Sequence, residues 1–219
     1  MSRFFKTRAA SPPYRGHMFE LMSEEKAMDI RSQMLPAAEV AARIVLRIPE
    51  AELDAPTPCP EWDVRALVNH LILWSGRGES AARKAPPTGP GEDHDFTSES
   101  GWAELFEEQS RKTAEAWQDP AAWEGETSLT GGAKGMPAGF IGGIVFVESV
   151  LHGWDLAVAT GSEPEFAPET VQAAWEQTVA MADVSRQYGA FGPEVPVAED
   201  APLLDRLLGL AGRDPRWRP

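Results

Sequence analysis

Residues 137–161 read PAGFIGGIVFVESVLHGWDLAVATG, and this stretch decides the fold. Apart from a few polar side chains, it carries apolar or small residues around the whole circumference of a helical projection. Pro137 suits the first turn of a helix, and Gly161 suits the position just after its last turn. The sequence therefore predicts a helix that is buried on nearly all sides and is surrounded by other helices.

The stretches on either side of this buried helix have the pattern of its packing partners. Their apolar residues recur at steps of three and four, which is typical of helices with one buried face. Segments rich in Gly and Pro separate them. We expect these helices at about residues 34–48, 64–83, 98–118, 168–188 and 201–211. Because no strand pair and no internal repeat is visible, the sequence predicts an all-α chain.

Length and composition favour one domain with an extension. The chain has 219 residues, 42% of them hydrophobic, and eight tryptophans, which is enough for a packed core. Residues 1–33 mix Arg, Ser, Pro and Gly without a clear period. We therefore predict a flexible N-terminal extension over residues 1–33, with a docking arm as the alternative, and a helical bundle over residues 34–216.

The charge of the chain excludes some classes of partner. Twenty Lys and Arg residues face 34 Asp and Glu residues, which gives a net charge of −14. A protein that binds duplex nucleic acid needs a basic face to displace counterions from the phosphates. We therefore expect no nucleic-acid partner and no anionic membrane surface as a partner.

Cysteine content and hydropathy indicate a cytoplasmic protein. The chain has one cysteine, Cys59, so an intrachain disulfide is impossible, which fits a reducing compartment. We expect no membrane span, because no run of about 18 apolar residues is visible. The N-terminus also lacks the apolar segment of a secretory signal.

Polar residues inside the buried helix indicate a metal site. Glu148 and His152 are four residues apart and project from one helix face. A buried carboxylate is costly unless a cation or a charged histidine compensates it. His70 shares a face of the second helix with Leu67 and Trp74, and an imidazole from one helix with Glu and His from another is a known way to build a metal site. Chance spacing and a histidine bonded to a backbone carbonyl remain the alternatives.

Three further residues are candidates for supporting roles. Asp155 lies one turn after His152, where it would orient a ligand or a bound water; an exposed or capping carboxylate is the alternative. Trp74 and Trp154 are candidates for lining a pocket, although core packing is the simpler role for both.

A rigid connector precedes the second helix. Residues 55–63 read APTPCPEWD, and the three prolines exclude a helix there. Asp63 suits the N-cap of the helix that follows. Cys59 has acidic neighbours in sequence, which disfavour a reactive thiolate, so we interpret it as a packing residue. Trp62 is interpreted as a plug over the end of the bundle.

Two stretches of the chain resemble a known family. Residues 57–71, TPCPEWDVRALVNHL, resemble the second-helix signature of the mycothiol-dependent maleylpyruvate isomerase N-terminal domain, within the DinB-like superfamily. Residues 148–157, ESVLHGWDLA, are similar to the metal-binding helix of that domain. The tail after residue 191 is similar to the end of a group of uncharacterised actinobacterial proteins. The resemblance extends over about residues 34–216.

The resemblance implies both a fold and a metal site. The fold is an up-down-down-up four-helix bundle, here with additional C-terminal helices. The site holds a divalent ion, usually zinc, on the residues that correspond here to His70, Glu148 and His152. Nickel, manganese and iron also accept such a donor set.

The resemblance further implies thiol chemistry. A metal ion would activate a low-molecular-weight thiol, such as mycothiol or bacillithiol, in a transferase or isomerase that acts on a small electrophile. A binding or sensing bundle without catalysis, and a bundle with a degenerate site, are the alternatives. The characterised isomerase carries a separate α/β C-terminal domain, and the short helical region after residue 165 indicates that this domain is absent here.

An apolar outer face on the last two helices would support a homodimer.

Overall fold

The prediction of an all-α chain built around a four-helix bundle is confirmed. The computed structural model describes residues 24–132 and 135–219. Within these residues the α-helices are α1 Glu24–Val45, α2 Val64–Ala82, α3 Trp102–Ala116, α4 Ala138–Ala159, α5 Pro168–Gln187 and α6 Leu203–Leu210. Short 3-10 turns lie at Glu50–Glu52, Phe96–Ser98 and Pro120–Trp123.

The first helix starts earlier than the sequence analysis predicted. It begins at Glu24, inside the stretch 1–33 that was assigned to a flexible extension, and it continues through Pro36. Residues 24–33 contain no Pro or Gly, and Ile30 and Met34 are buried, so the apolar face continues toward the N-terminus. Residues 1–23, on which the rest of that prediction falls, lie outside the described residues.

A small strand pair is the second difference from the predicted all-helical pattern. The strand β1, Glu126–Thr127, pairs antiparallel with β2, Met136–Pro137. The Thr127 hydroxyl donates a 2.7 Å hydrogen bond to the carbonyl of Ala81, which joins the pair to the end of α2. Two residues per strand are too few to produce the alternating pattern by which strands are recognised.

The buried helix α4 is the centre of the molecule, as predicted. It packs on α1, α2 and α5, while α3 packs on α1 and α2. By length and composition α4 could cross a membrane, but 78% of its most apolar window is buried among the other helices, as in the core helix of a bundle. Of the polar residues on α4, His152 and Asp155 are buried, whereas Glu148, which the sequence analysis expected to be buried, has a side chain that is 24% exposed.

Close packing against α4 makes one glycine sensitive to substitution. A Cβ at Gly142 would lie 2.7 Å from Trp123 and 2.8 Å from Trp117, whose rings contact each other edge to face. Both indoles are anchored by hydrogen bonds, Trp117 to the carbonyl of Gly78 and Trp123 to the carbonyl of Trp117. A methyl group there would overpack the core.

We therefore expect Gly142→Ala to lower the free energy of unfolding by about 1–3 kcal/mol. Urea denaturation measures the change. Gly76→Ala is the matched control, because its Cβ would meet Gln109 at an ordinary 3.6 Å. That substitution should stabilise α2 by up to about 1 kcal/mol. Equal effects of the two substitutions would show that the tryptophan pair does not restrict α4.

The C-terminal segment returns from α5 and α6 to one end of the bundle. A Cβ at Gly212 would lie 2.9 Å from the backbone of Gly192, and Gly212 has a positive φ of 82°, so glycine is required there. Arg186 donates from Nη1 to the carbonyl of Leu210 at 3.0 Å. Arg213 directly follows Gly212, so these contacts position Arg213 against α4.

Candidate metal centre and ligand cavity

The structure brings together the three residues that the sequence analysis selected as metal ligands. His70 lies on α2, and Glu148 and His152 lie one turn apart on α4. Each residue offers one ligand atom, and the three atoms lie within 4.8 Å of one another. The imidazole rings of His70 and His152 meet edge to face, with their centroids 5.2 Å apart.

The spacing of the three ligand atoms fits a shared ion. His70 Nε2 lies 3.6 Å from Glu148 Oε1, which is too long for a hydrogen bond. Two donors on one tetrahedral zinc ion, each at about 2.0–2.1 Å, are about 3.3 Å apart. His70 Nε2 is buried and has no hydrogen-bond partner among the residues that the structure describes. A buried polar atom that faces a carboxylate without bonding to it is suited to a cation placed between them.

The protonation state of His70 also suits metal binding. Burial lowers the pKa of His70, and the nearby Glu148 carboxylate opposes this effect only in part. The imidazole is therefore neutral near pH 7, and neutral imidazole is the form that binds metal ions.

Asp155 is a hydrogen-bond partner of His152. Its Oδ2 lies 2.9 Å from His152 Nδ1, and the carboxyl group is fully buried, which excludes the alternative of an exposed carboxylate. Burial by itself would raise the pKa of Asp155, but Arg213 and His152 outweigh it and lower the pKa to about 2. An ionised carboxylate only accepts hydrogen bonds, so Nδ1 of His152 donates, and Nε2 is the ring nitrogen that remains for a metal ion.

Arg213 is a residue of the site that the sequence analysis missed. Its Nη2 donates to Oδ2 of Asp155 at 3.1 Å and its Nε donates to Oδ1 at 3.3 Å. The guanidinium group is buried, so this is an enclosed ion pair. The pattern contained one indirect signal: Asp155 lies on a helix that is apolar all round and requires a cation from elsewhere. Nothing local in the sequence identified Arg213 as that cation.

Cys59 is part of the same cluster. Its Sγ donates to Oδ2 of Asp155 at 3.2 Å and lies 3.8 Å from Nη2 of Arg213. Burial, with the negative charge of Asp155, raises the pKa of Cys59, so the thiol keeps its proton. Cys59, His152 and Asp155 also have ligand atoms within 4.8 Å of one another, but Arg213 already supplies the positive charge for this second group.

A cavity of about 510 Å³ adjoins the three candidate ligands. This volume lies within the range of about 300–1,000 Å³ that is usual for small-molecule sites. Trp62, interpreted above as a plug, lines the cavity, and its ring centroid lies 4.5 Å from that of His70. Trp74 and Trp154, the candidates for pocket lining, are both buried in the core and do not line this cavity.

Comparison with known proteins agrees with the family resemblance described in the sequence analysis. The family model of the mycothiol maleylpyruvate isomerase N-terminal domain matches residues 34–157. The chain is 27% identical over 194 residues to the uncharacterised protein Rv0738 of Mycobacterium tuberculosis strain ATCC 25618 / H37Rv, which covers 82% of this chain and 95% of that protein. The uncharacterised protein MT0763 of Mycobacterium tuberculosis strain CDC 1551 / Oshkosh matches with the same values.

A solved structure is also similar, although more distantly. The crystal structure of the mycothiol-dependent maleylpyruvate isomerase matches with a TM-score of 0.44 and 15% sequence identity, over 74% of this chain and 71% of that chain. The family model extends over more than half of the chain and includes His70, Glu148 and His152. The chain therefore belongs to the family of the mycothiol maleylpyruvate isomerase N-terminal domain.

Proposed function

We propose that this protein binds one divalent metal ion through His70, Glu148 and His152 and uses it to activate a low-molecular-weight thiol toward a small electrophile. The observation that carries the proposal is the buried Nε2 of His70, for which no described residue is a hydrogen-bond partner. It lies 3.6 Å from Oε1 of Glu148, in a cluster with His152 beside a cavity of about 510 Å³. The reaction is transfer of the thiol to the electrophile or its thiol-assisted isomerisation.

The donor set suits this chemistry. A bound divalent ion would lower the pKa of a thiol at an open coordination position and so supply a thiolate. Two imidazole ligands and one carboxylate would neutralise only part of the charge of such an ion. His70 would bind the ion through Nε2, and Trp62, which lines the cavity, packs with its ring centroid 4.5 Å from that of His70. In this proposal the three ligands bind and orient the metal ion, and Trp62 limits the access of water to it.

Mycothiol is the thiol that the family's name favours, with bacillithiol as an alternative. Zinc is the first choice of metal for two imidazoles and a carboxylate, and nickel, manganese and iron accept the same donors. A free thiol requires a reducing compartment, so we place the reaction in the cytoplasm.

Metal content and thiol transfer test this function together. The full chain should be purified without a metal-affinity step and analysed for bound metals. We expect about one equivalent of a divalent metal per chain. Mycothiol should then react with an electrophilic bimane dye faster than in the uncatalysed reaction. Chelation should remove the acceleration, and added zinc should restore it.

The two possible failures of this test have different meanings. A chain that binds no zinc, nickel, manganese or iron contradicts the metal site itself. A chain that binds metal and mycothiol but accelerates none of a set of electrophiles contradicts catalysis and supports a sensing or binding role. Glu148→Gln is the matched variant, because it keeps the shape of the side chain and removes the charge that holds the ion.

A further inference from the structure

We infer that the electrophile accepted by this cavity is an uncharged, apolar molecule, and that the cavity disfavours ligands with free carboxylates. This inference rests on the proposed function, since it concerns the second substrate of the same site. Its basis is the chemistry of the cavity wall, in which apolar groups predominate and the arginine is already engaged.

Most of the wall is apolar. The connector before α2, the middle of α4 and the C-terminal segment all contribute lining residues. The apolar side chains that line it include Trp62, Ile144, Val147, Leu151, Met181 and Phe191. A wall of this kind favours ligands that lose little hydration when they enter, because transfer of apolar surface from water is the main driving force.

The basic side chain on the wall is already bonded. Among the described residues that line the cavity, Arg213 is the only arginine or lysine. Its guanidinium donates to both oxygens of Asp155, and its Nη1 donates to the carbonyl of Ala211 at 2.9 Å. To turn toward a ligand carboxylate, it would have to leave the buried carboxylate of Asp155 without its guanidinium partner, which is strongly unfavourable.

The remaining charges on the wall are acidic. Glu61 and Glu148 both line the cavity. A ligand carboxylate would therefore be desolvated without a guanidinium or ammonium partner that is available among the described residues of the wall. A metal ion at the three ligands offers one compensating charge, but under the proposed function the thiol sulfur takes its open position. The wall thus selects for electrophiles without negative charge.

Addition of the thiol to an activated alkene illustrates a reaction of this class. The thiol sulfur forms a bond to the β carbon, and the π electron pair moves to the α carbon. The proton that the thiol released then binds the α carbon. The product contains all atoms of both reactants, and no oxidant or reductant is needed. A diester of an unsaturated dicarboxylic acid is such an electrophile without charge.

Binding of a matched pair of ligands tests the inference without relying on turnover. Dimethyl phthalate and phthalate have the same aromatic body and differ in charge. Quenching of tryptophan fluorescence, to which Trp62 contributes from the cavity wall, reports their binding to the zinc-loaded chain saturated with mycothiol. We expect the diester to bind at least about tenfold more tightly than the dianion. Equal affinity, or tighter binding of phthalate, would overturn the inference.

A variant with an added cation provides the complementary test. Phe191→Arg places an unpaired guanidinium on the wall and should raise the affinity for phthalate by about tenfold or more. Val179→Arg is the control, because Val179 is 54% exposed and does not line the cavity, so it changes net charge alone. An equal gain in both variants would contradict a role for the wall. The ligand pair on the unaltered chain decides the question if Phe191→Arg does not fold.

The readouts separate this inference from the proposed function. If no metal-dependent thiol transfer is found but the diester still binds more tightly, the proposed function fails and the preference of the cavity stands. If transfer is found but carboxylate ligands bind as tightly as esters, the inference fails and the proposed function stands.

Discussion

Replacing His70 with alanine, Glu148 with glutamine or His152 with alanine is expected to lower the affinity for zinc by at least about 100-fold. Each substitution removes one of three donors, and even the loss of a residue that only orients a metal ligand usually costs 10–100-fold. The remaining two donors resemble many chance pairs on protein surfaces. Competition with a chromophoric chelator measures the affinity, and cobalt substitution reports the coordination geometry through its visible absorption.

The control for these variants is another histidine of the same chain. His94 lies in the loop between α2 and α3, away from the cavity, and its Nε2 is 3.0 Å from Oε1 of Glu99. We expect His94→Ala to leave the zinc affinity and the cobalt spectrum unchanged. If His94→Ala reduced the affinity as much as His70→Ala, the metal would be bound elsewhere and the triad assignment would be wrong.

The candidate ligands were predictable because each lies on a helix with a clear pattern. The spacing of Glu148 and His152 places both on one face of α4, and His70 shares its helix face with apolar residues. The resemblance to a family then joined the two segments. Helix periodicity therefore identified the elements, and the expectation of a carboxylate among apolar residues that needs compensation indicated the chemistry, although Glu148 is only partly buried.

Residues from irregular segments were not predictable in the same way. Trp62 reaches the cavity from a proline-rich connector, and Arg213 reaches Asp155 from the turn after α6. In such segments no period relates the position of a residue to the direction of its side chain. Their place depends on long-range packing, such as the contact of Gly192 with Gly212 that guides the tail back to α4.

The C-terminal segment contributes part of the candidate site. The described residues from 168 onward form α5, α6 and irregular chain. This short segment contributes Met181, Phe191 and Arg213 to the cavity. One wall of the candidate site is thus built from the part of the chain that lies beyond the family match at residues 34–157.

Breaking the ion pair between Asp155 and Arg213 is expected to produce the largest loss of stability. Arg213→Met leaves a buried carboxylate next to Cys59, and Asp155→Ala leaves a buried guanidinium. Loss of one partner of an enclosed ion pair costs about 3–5 kcal/mol. Urea denaturation of chelator-treated protein measures this cost without a contribution from bound metal.

The double variant Asp155→Leu with Arg213→Met should be more stable than the sum of the single effects predicts. It leaves no unpaired charge, and apolar replacements of a buried pair are often neutral or stabilising. Arg186→Met is the control for anchoring of the tail, because Arg186 bonds to the carbonyl of Leu210 but is partly exposed and does not contact Asp155. We expect it to cost about 1 kcal/mol.

Zinc affinity then distinguishes a packing role of the pair from a role in orienting His152. Asp155→Asn keeps the size of the side chain, but its amide can adopt either orientation and no longer requires His152 to donate from Nδ1. We expect the zinc affinity of this variant to fall about 10–100-fold, while Arg186→Met keeps the affinity of the unaltered chain. If Asp155→Asn lost stability but bound zinc as before, Asp155 would serve the fold alone. A loss of zinc affinity in the folded variant would show that Asp155 orients His152. The charge of Asp155, which Arg213 neutralises from near the end of the chain, would then determine which ring nitrogen of His152 presents its lone pair to the metal ion.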